Sequence, residues 1–382
     1  MILYLFIYFT SVVIFFYTLP LKHNNQVQFA TWFLVGLGIF IGLSDMLGGY
    51  DRYIYAEIFD HMADETSSGG NPFLSSGFTY FSGEFGYGTI NALMTYVTSN
   101  RYIFIFSCTM IIYFLLIVSL RKYTENMPFA VIAFLGLWVF FTFTYLRQVL
   151  GCTIVWLSIQ YIYKRDFKHF LLVWFIGYSF HNSAMVFLPM YFIPIKKYSQ
   201  NNVIAVMVMA LIFGLSPIPQ SLFEMYGEMD TDRASATYSI DTGFRYAYLI
   251  ESVFFLYVIL SNYKTISKRP KDIVLLNMAL VFCAILLIFV RSENGGRLSW
   301  HYMLGLICTI STICVRHKII TRFGVVFIFL CLFLYLRVYN GWQSYMNLYP
   351  YKTFLTNGHR EGDPVYQQYE YDENYDLDKF YR

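Results

Sequence analysis

The sequence predicts an all-α, polytopic integral membrane protein with about twelve transmembrane helices and both termini on the extracytoplasmic side. Three observations carry that prediction. Of 382 residues, 57% are hydrophobic, 21% aromatic and only 13% charged, which would leave a water-soluble protein with surface it could not solvate. Apolar runs long enough to cross a hydrocarbon core of about 30 Å as a helix recur along the chain. The basic residues also fall in alternate connections between those runs.

The first run, 2–20, has no basic leading segment and no small-residue cleavage motif, so it reads as a retained span. Others follow at 29–47, 102–120, 127–145, 149–163, 203–223, 244–262, 272–290, 298–315 and 323–340. The stretch 167–195 is too long for one ordinary span, and it carries His181 and Asn182 at its middle with Pro189 and Pro194 beyond. As one helix it would place Lys196, Lys197, Lys264, Lys268, Arg269 and Lys271 outside, against the positive-inside rule. As two half-length crossings, 167–181 and 182–195, it puts these on the same side as Lys22, Arg121, Lys122, Lys164, Arg165, Lys168, Arg316, Lys318 and Arg322. Only Glu125, Asp166 and Asp272 among the acids join them, a separation hidden by the net charge of +3. A re-entrant hairpin enclosed by protein or a water-filled cavity is the alternative form of the same segment.

The expected organisation is a membrane domain over 1–340 and an acidic, Tyr-rich extracytoplasmic tail over 341–382. The large outer loop, 48–101, contains a soft Ser/Gly/Asn/Pro stretch and an apolar section, Tyr87 to Val97, suited to the interface. The second outer loop, 224–243, carries Glu228, Asp230, Asp232 and Arg233 and reads as solvated. All six cysteines, Cys108, Cys152, Cys283, Cys308, Cys314 and Cys331, lie inside apolar runs and read as packing residues. No metal-ligand spacing occurs, so no metal or cofactor is expected. Gly83–Gly88 is glycine-rich, but no strand precedes it and no acidic partner follows, so it is not read as a nucleotide loop; nucleic acid is not an expected partner.

An ionisable group near a membrane core costs roughly 2.5 to 3.5 kcal/mol on insertion scales, so function is its default explanation. Asp51, Glu84, Arg147, His181, Arg245, Arg291 and Arg297 lie in or beside apolar segments and fall on the outer side. Asp60, Asp64 and Glu65 read as loop acids that are solvated or bind neighbouring arginines, and His23, His317, Lys264 and Arg316 as cytoplasmic surface.

An ordered set of motifs accompanies these residues: Gly49-x-Asp51 with downstream tyrosines, Glu84-x-Gly86-Tyr87, Leu146-Arg147-Gln148 and Phe180-His181-x-Ser183-Ala184, then Arg291 and Arg297 before a span, and Tyr349-Pro350-Tyr351. Over roughly residues 30 to 352 the chain resembles the EpsG family, which is similar to Wzy-type polymerases of bacterial exopolysaccharide, capsule and O-antigen. Where the family often has an aromatic after the aspartate, this chain has Arg52, with Tyr53 and Tyr55 beyond.

The resemblance implies a GT-C-like fold in the bacterial cytoplasmic (inner) membrane with its active site facing outward. The implied substrate is an oligosaccharide repeat unit on undecaprenyl diphosphate, and the implied partners are membrane lipid, a chain-length regulator and a flippase. The growing chain would pass from its carrier to a sugar hydroxyl of a new unit. That chemistry needs cations for the leaving diphosphate, a base for the hydroxyl and an apolar groove for the lipid. Arg147, Arg291 and Arg297, with Arg245 behind them, are the candidate diphosphate ligands, because a guanidinium fork binds phosphate oxygens bidentately. Asp51 and Glu84 are the candidate bases and His181 their rival. Tyr50, Tyr53 and Tyr87 are candidates for stacking on sugars, as are Tyr55, Tyr349 and Tyr351, although an interfacial aromatic belt accounts for most of the 35 tyrosines. Each site residue also has a plain reading: arginines snorkel, loop acids are solvated or bind neighbouring arginines, and a histidine at a helix break caps it. A flippase of the same lipid-linked sugars is one rival function, disfavoured by the lack of inverted repeats and by the grouping of charge at one face. A membrane ligase or glycosyltransferase using the same donor is the other.

Overall fold

Helices whose apolar residues point outward, away from the protein interior, set the architecture. In the computed structural model the chain is described except for residues 46–49, 220, 222–242, 293–294, 343–347, 350 and 356–382 and the side chains of Tyr50 and Tyr53. The second outer loop at 224–243, except Gly243, and most of the tail therefore lie outside the described residues. In order, the helices are α1 (Ile2–Thr18), α2 (His23–Leu43), α3 (Tyr50–Ser67), α4 (Ser76–Tyr80), α5 (Phe85–Thr95), α6 (Arg101–Tyr123), α7 (Met127–Leu137) and α8 (Phe141–Thr144). There follow α9 (Leu146–Trp156), α10 (Ile159–Tyr163), α11 (Phe167–Phe180), α12 (Gln200–Leu215), α13 (Tyr246–Ser261), α14 (Pro270–Ile288), α15 (Met303–Cys314) and α16 (Arg322–Trp342). A two-strand hairpin, Val315–Arg316 with Ile319–Ile320, joins α15 to α16.

The exposed residues are those of a lipid-facing surface. Phe6, Phe9 and Val13 of α1, Ile204, Met209 and Ile212 of α12, and Phe329 and Phe333 of α16 are all exposed. Side chains of this size, aligned along whole helices, are stable against hydrocarbon and not against water. Four helices, α2, α6, α14 and α16, are long and apolar enough to cross a membrane, and α1, α7, α11, α12 and α13 are shorter apolar helices. The protein is integral to a membrane. Within the bundle α14 is central, packing on α12, α13, α15 and the 3₁₀ segment Gly295–Tyr302.

Four expected elements are modified. The run 127–145 is broken between α7 and α8, and 149–163 between α9 and α10. The run 298–315 begins as 3₁₀ helix and becomes α only at Met303. The connection 48–101 is a layer of short helices, so Asp51 stands in the first turn of α3. Both breaks are closed by local turns, Phe141 N–H donating to the Trp138 carbonyl at 3.1 Å and Ser158 N–H to that of Val155 at 2.9 Å. Such breaks are tolerated at membrane depth because protein encloses them. Trp138, Trp156 and Ser158 are buried.

At His181 the chain folds back as a hairpin. The returning arm, Asn182–Tyr191, is a 3₁₀ helix containing Pro189. Trp174 Nε1 donates across the hairpin to the Ala184 carbonyl at 2.9 Å, and the Phe170 and Tyr191 rings lie 4.9 Å apart. At its open end Arg165 donates to the carbonyls of Tyr191 and Ile193, at 2.7 and 3.3 Å. The basic connections thereby meet at one end of the bundle. Lys197 Nζ donates to the Ile266 carbonyl at 2.6 Å, Arg269 pairs with Glu125 and Asp272, Arg316 donates to Asn262 Oδ1 at 2.9 Å, and Lys318 to the Pro20 carbonyl at 3.2 Å.

Three sets of contacts tie the outer layer and the start of the tail to the bundle. Of the two settings expected for the loop acids, Asp60 takes the arginine partner, being buried and paired with Arg101, whereas Asp64 and Glu65 are exposed. Arg52 is enclosed and donates to the carbonyls of Ser44 and Phe143, at 2.8 and 3.3 Å, which ties the outer layer to α8. The beginning of the tail is packed. Tyr351 stacks on Phe40 with ring centroids 4.1 Å apart and donates to the Phe40 carbonyl at 2.7 Å, and Phe354 N–H donates to the Leu43 carbonyl at 3.3 Å. All six cysteines are buried and free.

Candidate active site

Close backbone packing brings five chain segments together at the end of the bundle opposite the basic connections. Gly177 of α11 lies against α9, where an added Cβ would stand 2.5 Å from Val155 Cγ2 and 3.1 Å from the Gly151 carbonyl oxygen. Gly86 meets the last turn of α11 in the same way, its would-be Cβ lying 2.2 Å from Ser179 Oγ. Small residues thus seat the His181 turn between the start of α9 and the Glu84 turn. The 3₁₀ segment Gly295–Tyr302 closes the group from the side of α14 and α15.

Glu84 joins three of these segments. One of its carboxylate oxygens pairs with Arg147, and the other accepts from the Asn182 N–H at 3.2 Å. The carboxylate is 8% exposed. Burial pushes its pKa above the ordinary carboxylate range, while the Arg147 charge and the Asn182 N–H oppose that shift. The Arg147 guanidinium also lies over the Tyr55 and Phe81 rings, 5.0 and 5.5 Å from their centroids.

His181 caps its own turn. Nδ1 accepts from the Ser183 N–H at 3.1 Å and lies 3.8 Å from Glu84 Oε1. With Nδ1 accepting, the neutral ring carries its proton on Nε2.

Arg297 is held from two sides. Gln148 Oε1 accepts from its Nε and Nη2 at 3.1 and 2.9 Å, and Gln148 Nε2 donates to the Arg297 carbonyl at 3.2 Å. The guanidinium stacks 4.0 Å from the centroid of Tyr145 and 5.4 Å from that of Trp300. Nη2 faces Asp51 Oδ2 at 4.0 Å. Asp51 and Arg297 are 24% and 23% exposed, the most open of the five charged or ionisable groups gathered here, while Glu84 and His181 are 8% and 13% exposed.

Of the residues selected from sequence, Asp51, Glu84, Arg147, His181 and Arg297 converge. Arg291 Nη1 donates to the Leu215 carbonyl at the end of α12, 3.2 Å away, and the backbone N–H of Arg245 donates to the Val290 carbonyl at 2.7 Å. Tyr87 is fully buried, between Tyr55 and Phe81 at ring distances of 5.4 and 5.0 Å, with no face open to a sugar. The side chains of Tyr50 and Tyr53 lie outside the described residues. Among the described residues no three His, Cys, Asp or Glu side chains gather as a metal site needs.

The EpsG family model matches residues 29–353. The chain belongs to the EpsG family. That membership makes it a membrane protein of polysaccharide biosynthesis. No curated protein and no solved structure matches it. Every segment that contributes to the site falls within the span matched to the EpsG family.

Sequence reasoning passed over the groups that hold the EpsG site together. Gln148 and Ser183 stand inside the motifs with no role that their residue type assigns, and the sequence gives none to Tyr145, Trp300 or His301. His301 had a usable signal, being an ionisable residue inside an apolar run and four positions after Arg297. Tyr145 and Trp300 had none, since nothing in a chain this aromatic marks two rings as cation partners.

Proposed function

We propose that this EpsG-family protein is a polysaccharide polymerase acting on lipid-linked repeat units. The observation that carries the reading is the open Asp51–Arg297 pair, with a carboxylate oxygen 4.0 Å from a guanidinium nitrogen at the mouth of a site otherwise closed by Glu84, Arg147 and His181. A glycosyl transfer with a diphosphate leaving group requires an anion to take the hydroxyl proton and a cation to meet the leaving group, and this pair supplies both.

In the proposed step a sugar hydroxyl of the incoming unit attacks the anomeric carbon of the growing chain. The new C–O bond forms as the bond to the diphosphate breaks, and the electron pair leaves on the polyprenyl diphosphate. Asp51 accepts the hydroxyl proton. Arg297, oriented by Gln148 and stacked on Tyr145, meets the charge developing on the diphosphate, as preorganised cations do in other phosphate sites. Arg147 adds positive potential from behind. His181 presents its Nε2–H as a donor and not as a base, because its other nitrogen accepts from the Ser183 N–H. Glu84 is a strut, both oxygens being engaged. Arg291 is assigned to the end of α12, whose Leu215 carbonyl its guanidinium meets. The outward orientation of the site, twelve crossings and an undecaprenyl carrier belong to the same proposal. They are supported by the collection of basic connections at the opposite end and by family membership.

The test is a membrane preparation given synthetic diphosphate-linked repeat units and no sugar nucleotide. Polymerisation yields a ladder of products and releases one polyprenyl diphosphate per added unit. A single addition with no ladder would indicate a ligase, and relocation of intact substrate without released diphosphate a flippase.

A further inference from the structure

His301 is fully enclosed, and both of its ring nitrogens contact side chains far away in sequence. Nε2 is hydrogen-bonded to Ser183 Oγ at 2.9 Å, and Nδ1 lies 3.4 Å from Cys152 Sγ. Its carbonyl accepts from Trp156 Nε1 at 2.9 Å, so its backbone is fixed to α9. A buried imidazole needs partners for both nitrogens, and an apolar side chain of similar size would fill the space without that requirement. What distinguishes this one is its partner.

Buried serines at turns and helix ends of this chain commonly bond back to a carbonyl three residues earlier: Ser158 to Val155, Ser179 to Ile176, Ser299 to Gly296. Ser183 points to His301 instead. Ser183 is also a junction, since its N–H donates to His181 Nδ1 at 3.1 Å and its Oγ lies 3.5 Å from Gln148 Nε2. Gln148 in turn holds the Arg297 fork.

We propose that His301 is a positioning residue: from beneath the site it pins the Ser183 hydroxyl and so keeps the His181 turn and the Gln148–Arg297 pair in register. The proposal rests on the polymerase reading for the reaction that is positioned. Without the imidazole, Ser183 is free to turn onto its local backbone, and the His181 turn is no longer tied to Gln148. Substrate charge still meets Arg147 and Arg297, so ground-state binding persists while the reacting groups lose alignment. Misplacement of about 1 Å costs on the order of 100-fold in rate.

The test uses three variants with distinct geometry, each measured for kcat and KM on lipid-linked repeat units in membranes and for its thermal unfolding midpoint after purification. His301→Gln carries an amide to the position of Nε2 and keeps the Ser183 bond. His301→Asn reaches only toward Cys152, and His301→Leu reaches neither. The expected result is a fall in kcat of roughly 10- to 100-fold for Leu and Asn with KM within about 3-fold, and recovery to within about 3-fold of the parent for Gln. Adding Ser183→Ala to His301→Leu should cost nothing further, because both act through one bond. The proposal is overturned if His301→Leu turns over like the parent, if Gln is as poor as Leu, or if the two substitutions multiply. A parent protein that makes no polymer removes the polymerase reading and this proposal together. An active parent with an unaffected His301→Leu removes this proposal alone.

Discussion

Asp51 and Glu84 are carboxylates of the same outer layer whose surroundings give them different work. Glu84 is 8% exposed, with one oxygen on Arg147 and the other on the Asn182 N–H, while Asp51 is 24% exposed and faces Arg297 at 4.0 Å. Removing one partner of a buried ion pair leaves an uncompensated charge, at a cost of about 3 to 5 kcal/mol. Glu84→Gln should therefore lower the thermal unfolding midpoint of the purified protein along with its activity. Asp51→Asn should leave the midpoint near the parent's while turnover falls by about 10²- to 10⁴-fold. Equal midpoints for the two variants, or an unstable Asp51→Asn, would reverse these assignments. The five convergent residues were legible because a charge or an imidazole beside an apolar run stands out. The roles within the five were not legible, because whether a carboxylate is open or closed depends on residues 63 and 98 positions away in sequence. Asp60 illustrates the same limit: as a loop acid it reads as solvated or bound to an arginine, and only the fold decides for Arg101.

At the scale of elements, the site exists because helices approach without side chains between them. Gly177→Ala would place a methyl group 2.5 Å from Val155 Cγ2, and Gly86→Ala would place one 2.2 Å from Ser179 Oγ and 3.0 Å from the Ser179 backbone carbon. Overpacking of this kind costs about 1 to 3 kcal/mol and displaces the elements involved. Each variant should lose both stability and turnover. Gly83→Ala, three positions before Gly86 with nothing within 4 Å of its would-be Cβ, should behave like the parent in thermal unfolding and in activity. A loss at Gly83 as large as that at Gly86 would mean that close packing is not what seats the Glu84 turn. The fold-back at His181 was legible because a single helix would have carried Lys196 and Lys197 to the wrong side. The breaks after Leu137 and Trp156 were not legible, since apolar residues continue through both and hydropathy does not register a turn enclosed by protein.

For the whole molecule, separation of charge along the bundle is the organising feature, with the basic connections at one end and the proposed reaction at the other. The native cysteines are all buried, so single introduced cysteines can report sidedness. In intact cells an impermeant thiol reagent should label Ser68→Cys, on the exposed end of α3, and spare Lys264→Cys until the membrane is opened. Labelling of both, or of Lys264→Cys alone, would contradict the orientation and with it the hairpin's topological role. The central claim is that the open pair carries the transfer. Its most direct measurement is the initial rate of polyprenyl diphosphate release from lipid-linked repeat units, with expression matched, for Asp51→Asn, Arg297→Lys and Arg291→Lys. Arg297→Lys keeps the charge but loses the planar fork on Gln148 and the stack on Tyr145, so its rate should fall steeply alongside that of Asp51→Asn. Arg291→Lys, whose guanidinium donates to a helix-end carbonyl and is not in the Asp51–Arg297 pair, should stay close to the parent. Parent-like release from Asp51→Asn and Arg297→Lys, or losses no greater than that of Arg291→Lys, would contradict the account.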